Sequence, residues 1–343
     1  MTENTHCKDV KSNIVRRLSV APMMEYTDRH CRYFLRLITQ HTLLYSEMVT
    51  TGALLHGKRY DLLDFSAQEQ PLALQLGGCD PQALARCAVM AQRQGYQEVN
   101  LNVGCPSNRV QEGSIGACLM VKPALVAACI EAMQKVVDIP VTVKHRIGIK
   151  SRVLGDHTSY AELKSFVETV ASAGCQDFIV HARTAILEGL TPKENRDIPP
   201  LEYATVYQLK QDYPELNIVI NGGVKTISEA KNHLNYVDGV MIGREAYHNP
   251  WILREADSSI FGAEKSSMNE RIQIATAMIP YITRQLKTGV RLHQITRHMS
   301  GLFNGIPGAR YFRHLLSERC RHKEADVTTY KKVLDDCFLS QPS

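Results

Sequence analysis

Asn100-Leu101-Asn102-Val103-Gly104-Cys105-Pro106-Ser107 reads as a largely apolar strand that runs into a cysteine and a proline, ahead of a Gly-rich loop. Proline has no N–H and cannot continue a sheet ladder, so the strand stops there. Cys105 is left at its C-terminal tip. A cysteine in that place either faces a ligand or fills a core as a small hydrophobe, and the segment alone leaves both open. The choice depends on how the other strands end.

Short β-branched or apolar runs recur at Leu18–Ala21, Leu43–Glu47, Leu72–Gln75, Glu98–Val103, Pro140–Lys144, Phe178–His181, Asn217–Asn221 and Gly239–Ile242. Segments of helical period lie between them. Pro81–Met90 has apolar positions at helical spacing, with Pro81 suited to a first turn. Ala161–Ala173 puts Leu163, Phe166, Val167 and Val170 on one face. Strand–helix alternation predicts a parallel sheet. Eight such units fit an α/β fold of the (β/α)8 TIM barrel type. A doubly wound open sheet is the alternative, but no Gly-x-Gly-x-x-Gly follows an early strand.

A barrel of this kind builds its site from the C-terminal tips of its strands. Here the tips read Pro22-Met23-Met24, Gln75-Leu76-Gly77-Gly78, Asn102-Val103-Gly104-Cys105, Lys144-His145-Arg146, His181-Ala182-Arg183, Asn221-Gly222-Gly223 and Gly243-Arg244. One polar tip carries no weight; so many converging polar groups and glycines are hard to explain as core packing. The tips of strands seven and eight fall where barrels often bind phosphate. Gly222, Gly223 and Gly243 allow close backbone approach there, and Arg244 can add a charge-assisted contact. The plainer alternative is two ordinary turns. Lys144 lies inside an apolar strand, where an unpaired ammonium is costly. His181 in a similar place is more often a satisfied core residue.

Composition narrows the class. The chain has 343 residues, 44% hydrophobic and 22% charged, with a formal net charge of +5. That is ordinary for a soluble globular protein with one large and one smaller domain. No apolar run approaches the ~20 residues of a membrane span, and no metal site is expected, because close Cys/His pairs are absent. The N-terminal stretch 1–13 is polar, reads as a frayed tail and lacks the apolar core of a secretory signal. Ten cysteines without a Cys-x-x-Cys pair read as free thiols in a reducing cytoplasm.

After Trp251 the strand pattern stops. Ile272, Ala275, Ile279, Ile282 and Leu286 run at helical spacing, with a kink expected at Pro280. Leu292, Ile295, Met299 and Leu302 form a second stripe, Arg310, Arg313 and Ser317 share a face of a third helix, and Asp326–Leu334 reads as a fourth. A small helical bundle is expected. From Arg284 to Lys323 there are nine Lys or Arg against a single acid, Glu318. That asymmetry suits a polyanion surface; a solvated helix face is the plainer reading.

Taken in order, these tips resemble the tRNA-dihydrouridine synthases, and Asn-Leu-Asn-Val-Gly-Cys-Pro-Ser closely resembles that family's signature. Ala21-Pro22-Met23-Met24-Glu25-Tyr26-Thr27-Asp28-Arg29-His30 and Leu190-Thr191-Pro192-Lys193-Glu194-Asn195-Arg196 resemble the bacterial A subgroup. The resemblance implies FMN held by Pro22, Met23, Met24, Gln75, Lys144, His181, Asn221, Gly222, Gly223, Gly243 and Arg244. It implies NADPH as electron donor, hydride transfer to C6 of uracil, and a proton from Cys105 to C5. It implies tRNA as substrate at D-loop uridines 20 and 20a, with Asn102 on the flipped base and Lys193 and Arg196 on the tRNA. Arg310 and Arg313 are expected RNA contacts of the C-terminal helices. The expected organisation is a tail over 1–13, an FMN-binding barrel over 14–255 and a helical tRNA-binding domain over 265–337. A cytoplasmic monomer is expected.

Two other readings stay open on the residues alone. A flavin barrel acting on a free pyrimidine would need no basic helical region. A non-enzymatic RNA-binding barrel would carry no flavin and would be indifferent to Cys105→Ala.

Overall fold

The computed structural model describes residues 15–59, 61–107, 115–264 and 270–339. The expected tail over 1–13 and the Gly-rich loop after Ser107 lie outside the described residues.

Eight strands form a closed barrel: β1 Leu18–Val20, β2 Leu43–Thr50, β3 Leu72–Gly77, β4 Glu98–Val103, β5 Val141–Arg146, β6 Asp177–His181, β7 Asn217–Asn221 and β8 Gly239–Ile242. Each strand neighbours the next in sequence, and β8 neighbours β1. The pairings are parallel, as between β3 and β4, β4 and β5, and β1 and β8. This is the expected TIM barrel. β2 runs on past Glu47 through Met48, Val49 and Thr50, and the Glu25 N–H donates to the Glu47 carboxylate. β5 likewise continues through His145 and Arg146.

Contacts divide the chain into two compact units. One takes in residues 49–63 and 72–218. In it, register sets Gln75 opposite Asn100, Asn100 opposite Thr142, and Asn102 opposite Lys144. The helix Pro81–Gln94 starts at the Asp80 cap with Pro81 in its first turn, and ends at Gly95, whose φ is 99°. The helix Tyr160–Ser172 opens with a Ser159/Glu162 capping box and buries Leu163, Phe166, Val167 and Val170, the face expected. A small sheet of Ile149–Ser151, Gly155–His157 and Ala185–Ile186 joins the loops after β5 and β6, which the sequence pattern did not predict.

The other unit takes in 16–48, 64–71 and the chain from 219 onward. The expected kinked helix around Pro280 is two helices, Arg271–Ala277 and Ile279–Lys287. Proline is tolerated in a first turn but not in an interior, so the break moves to Met278. The break also resets the phase. Ile274, Met278 and Tyr281 are buried with Ala275 and Ile282, while the expected Ile272, Ile279 and Leu286 are only half-buried. Leu292, Ile295, Met299 and Leu302 are all buried as expected. Ala309–Arg319 and Val327–Leu334 supply the remaining expected helices. The helices Arg271–Ala277, Ile279–Lys287 and Leu292–Thr296 pack on the helix Arg29–Ile38. Tyr281 stacks on Tyr33 at 3.9 Å and its hydroxyl bonds His30 Nδ1 at 2.8 Å, while Asp28 Oδ2 pairs with Arg297 and His298, both at 2.9 Å. Among the described residues no helix is long and apolar enough to cross a membrane.

Candidate active site

Cys105 is partly exposed, two residues beyond the end of β4. Asn102, three residues earlier, holds it from the side. Its Oδ1 accepts the backbone N–H of Gly104 at 3.1 Å and of Cys105 at 3.0 Å. The Cys105 carbonyl in turn accepts from Ala117 N–H at 2.9 Å. Asn102 Nδ2 donates to Gln75 Oε1 at 2.8 Å. The amide oxygen of Asn102 is thus fully occupied, and its second Nδ2 hydrogen is what it has left for a base.

The register of β5 supplies the cations. Thr142, Lys144 and Arg146 share one face of the strand, while His145 faces the helix layer, with its ring 5.0 Å from that of Phe166. Burial, aided by the Arg146 guanidinium and opposed by Cys105, pushes the Lys144 ammonium down to about 7. Burial likewise lowers Arg146 to about 10, again opposed by Cys105 and aided by Arg196 and Arg183. Cys105 therefore lies within electrostatic reach of both Lys144 and Arg146. His181, at the end of β6, is held well below the usual histidine range by burial and by Arg146 and Lys144. Its imidazole is neutral near pH 7.

Arg146 has a role the sequence did not single out. Its Nε donates to the Gly104 carbonyl at 3.0 Å, and its Nη1 to those of Thr184 and Asn195, both at 3.1 Å. Asn195 was missed as well. It is fully buried, and its side chain exchanges two 2.8 Å hydrogen bonds with the backbone of Ile186. Lys193 and Arg196 flank it and are exposed, so a pinned turn presents both expected RNA contacts.

In the other unit, Pro22, Met23 and Met24 follow β1 after Ala21. The Met23 carbonyl accepts from Tyr26 and Thr27 N–H, at 3.1 and 3.0 Å, and Met24 is 57% exposed. Glu25 then adopts φ 66°, a left-handed conformation rare outside glycine and enriched at functional sites. Asn221 is buried and donates to the Met241 carbonyl at 2.8 Å. Gly222 and Gly223 have φ of 121° and 75°, so glycine is required at both. Gly243 differs, with φ −98°, and a Cβ there would meet open space. Arg244 opens the helix Arg244–His248, half-buried. Arg310 and Arg313 are exposed on the helix Ala309–Arg319, whose Phe312, Leu315 and Leu316 are buried, and Arg313 donates to Asn304.

In the first unit an amide, an ammonium and a neutral imidazole suit the polar edge of a flavin ring; in the other, positive-φ glycines and an arginine suit a phosphate. Among the described residues no group of three or more His, Cys, Asp or Glu could hold a metal ion. All nine cysteines within the described residues are free thiols.

Comparison with known proteins identifies the family. The family model described as Dihydrouridine synthase (Dus) matches residues 19–341. A tRNA-dihydrouridine(20/20a) synthase of Salmonella typhi is 57% identical over 319 residues, 93% of this chain and 94% of that protein. Proteins of the same name from Escherichia coli and Vibrio cholerae are 57% and 56% identical over 93% of this chain, covering 90% and 95% of their own lengths. Among solved structures, a 2-naphthoyl-CoA reductase complex aligns with a TM-score of 0.54 at 11% identity, over 70% of this chain and 49% of that one. That likeness concerns the fold alone.

Proposed function

The chain belongs to the dihydrouridine synthase family, and from that premise we propose that it reduces uridine to 5,6-dihydrouridine in the tRNA D-loop, at positions 20 and 20a. The observation that carries the reading is Cys105, held at the β4 tip by Asn102 and lying beside Lys144 and Arg146.

Bound FMN, re-reduced by NADPH, supplies the hydride that adds to C6 of the uracil ring. Cys105 delivers the proton to C5 from the opposite face, as general acid. A thiol suits this because its unperturbed pKa lies just above neutrality. The thiolate left behind regains its proton from solvent. Lys144 would hold a proton at Nζ toward the polar side of the flavin ring. Gln75 and neutral His181 would hydrogen-bond the ring edge, and Pro22, Met23 and Met24 would pack on it. Asn221, Gly222, Gly223, Gly243 and Arg244 would take the phosphate end. Asn102 offers its remaining amide hydrogen to the extruded base.

Lys193 and Arg196 contact tRNA phosphates from the loop after β6, and Arg310 and Arg313 do so from the C-terminal helices. Residues 14–255 form the FMN-binding barrel and 265–337 the tRNA-binding region. The enzyme acts as a cytoplasmic monomer.

The test is mass-spectrometric mapping of dihydrouridine on tRNA that lacks it, incubated with NADPH and either wild-type protein or Cys105→Ala. Dihydrouridine at 20 and 20a, strongly reduced in the variant, is expected. A flavin-loaded wild type that makes none would sink the tRNA reading in favour of a free-pyrimidine reductase.

A further inference from the structure

Along β4, Glu98, Asn100 and Asn102 share one face, and Val99, Leu101 and Val103 the other. The first face is wholly polar. Glu98, Asn100 and Thr142 are each 0% exposed and Gln75 is 1% exposed. Buried polar groups are costly unless each is satisfied. These satisfy one another in a single file. The Thr142 hydroxyl donates to Glu98 Oε1 at 2.7 Å, and its oxygen accepts from Asn100 Nδ2 at 2.8 Å. Asn100 Oδ1 accepts from Gln75 Nε2 at 2.8 Å, and Gln75 Oε1 accepts from Asn102 Nδ2 at 2.8 Å. Asn102 Oδ1 then accepts the backbone N–H groups of Gly104 and Cys105.

The two ends of this file have fixed polarity. A carboxylate oxygen accepts, and a backbone N–H donates. With the carboxylate at one end and the Cys105 N–H at the other, each amide between them has a single orientation that satisfies its neighbours. A half-satisfied file would cost more than an apolar filling of the same space, so burial alone gives no reason for it.

We propose that Glu98, Thr142 and Asn100 are positioning residues, which fix the amide orientation of Gln75 and Asn102 and through Asn102 the backbone that carries Cys105. This rests on the flavin-and-uracil reading of the same site. In it, Asn102 turns a donor hydrogen and not a carbonyl toward its ligand, so what it meets is an acceptor such as a uracil carbonyl oxygen.

The experiment compares Thr142→Val, which keeps the shape and removes both hydrogen bonds, with Thr142→Ser, which keeps both. Three measurements are made: turnover kinetics giving kcat and KM for tRNA in the FMN-loaded enzyme, the visible spectrum of the bound flavin, and the alkylation rate of Cys105 in flavin-free protein, resolved by mass spectrometry. Thr142→Val is expected to lower kcat by about 10-fold or more while KM for tRNA stays within about 2-fold, because misplaced groups lose rate rather than binding. It should also shift the flavin bands and change the Cys105 alkylation rate, and Thr142→Ser should restore all three. A Thr142→Val enzyme equal to wild type in all three overturns the proposal. If that variant does not fold, Glu98→Gln decides by the same quantities, since its amide loses the acceptor-only end; unchanged values there overturn the proposal equally. A wild type without flavin or dihydrouridine defeats the functional reading instead, while the alkylation rate still reports on the file itself.

Discussion

Arg146 donates from Nε to the carbonyl oxygen of Gly104, the residue before Cys105, at 3.0 Å. The same guanidinium reaches the Thr184 and Asn195 carbonyls, so one buried cation joins the β4 tip to the loop after β6. Lysine cannot reproduce that fork. Arg146→Lys is expected to destabilise the protein by about 2–3 kcal/mol, the scale of lost hydrogen bonds to a buried charge. It should also lower kcat by about 10-fold or more through the displaced Cys105 backbone. Urea denaturation and single-turnover kinetics check the two effects separately; a stable variant with wild-type turnover would contradict both.

Cys105 makes no side-chain hydrogen bond among the described contacts and is partly exposed, so its thiol is dispensable to the fold. Cys105→Ala and Cys105→Ser should both keep the wild-type melting temperature. Turnover should fall by about 100-fold to 10,000-fold, the range for a lost general acid. Serine should be no better than alanine, since a hydroxyl is far too weak an acid for the step. Hydride transfer followed by flavin absorbance under anaerobic conditions tests this.

Lys144 ties flavin binding to protons. Without a ligand its ammonium is pushed down to about 7 by burial and by Arg146. A flavin edge that gathers negative charge favours the protonated form and raises that value. At pH 8 the free protein is mostly neutral at Lys144, so FMN binding should take up a proton. Calorimetric titration in buffers of different ionisation enthalpy measures this uptake. Lys144→Met should abolish it, and uptake that persists in the variant would assign it to another group.

His145 gives the fold an acid limit. Its Nδ1–H donates to the Arg146 carbonyl at 2.7 Å, and burial pushes its pKa down to about 4. Between that value and the ordinary histidine range the unfolded chain binds a proton that the folded one does not. Stability therefore rises with pH across this window and is lost as pH falls through it, by about 3 kcal/mol for this one group. Urea midpoints at pH 7 and pH 5 should differ less in His145→Leu than in wild type.

Much of this was legible because buried parallel strands write themselves as apolar runs, whose ends then show what they carry. The tips gave Cys105, Gln75 and Lys144 directly. The file behind them was half legible: polar residues at 98, 100 and 102 break the apolar pattern of β4, but Thr142 joins only through the β4–β5 register, which no local pattern encodes. Arg146 and Asn195 act on backbone carbonyls, and a carbonyl leaves no trace in a sequence. The small sheet was hidden for a different reason. Gly155-Asp156-His157 has neither apolar alternation nor β-branched residues, and it is a strand only because Ile149–Ser151 lies beside it.

The proposed RNA contacts differ in how they are mounted, and this separates their expected effects. Lys193 and Arg196 sit on a turn pinned by buried Asn195, whereas Arg310 and Arg313 stand on the outer face of a helix. Replacing any of the four by glutamine should weaken tRNA binding and reduce the slope of log affinity against log salt by about 0.7–0.9 per lost phosphate contact. Asn195→Ala leaves both loop cations in place but frees their turn. It should match the double variant of Lys193 and Arg196 in affinity loss, with a salt slope nearer to wild type, because the charges remain while their geometry is lost. Filter binding across a salt series decides. Unchanged affinity in Asn195→Ala would mean that the pinned turn is not what presents these residues to tRNA.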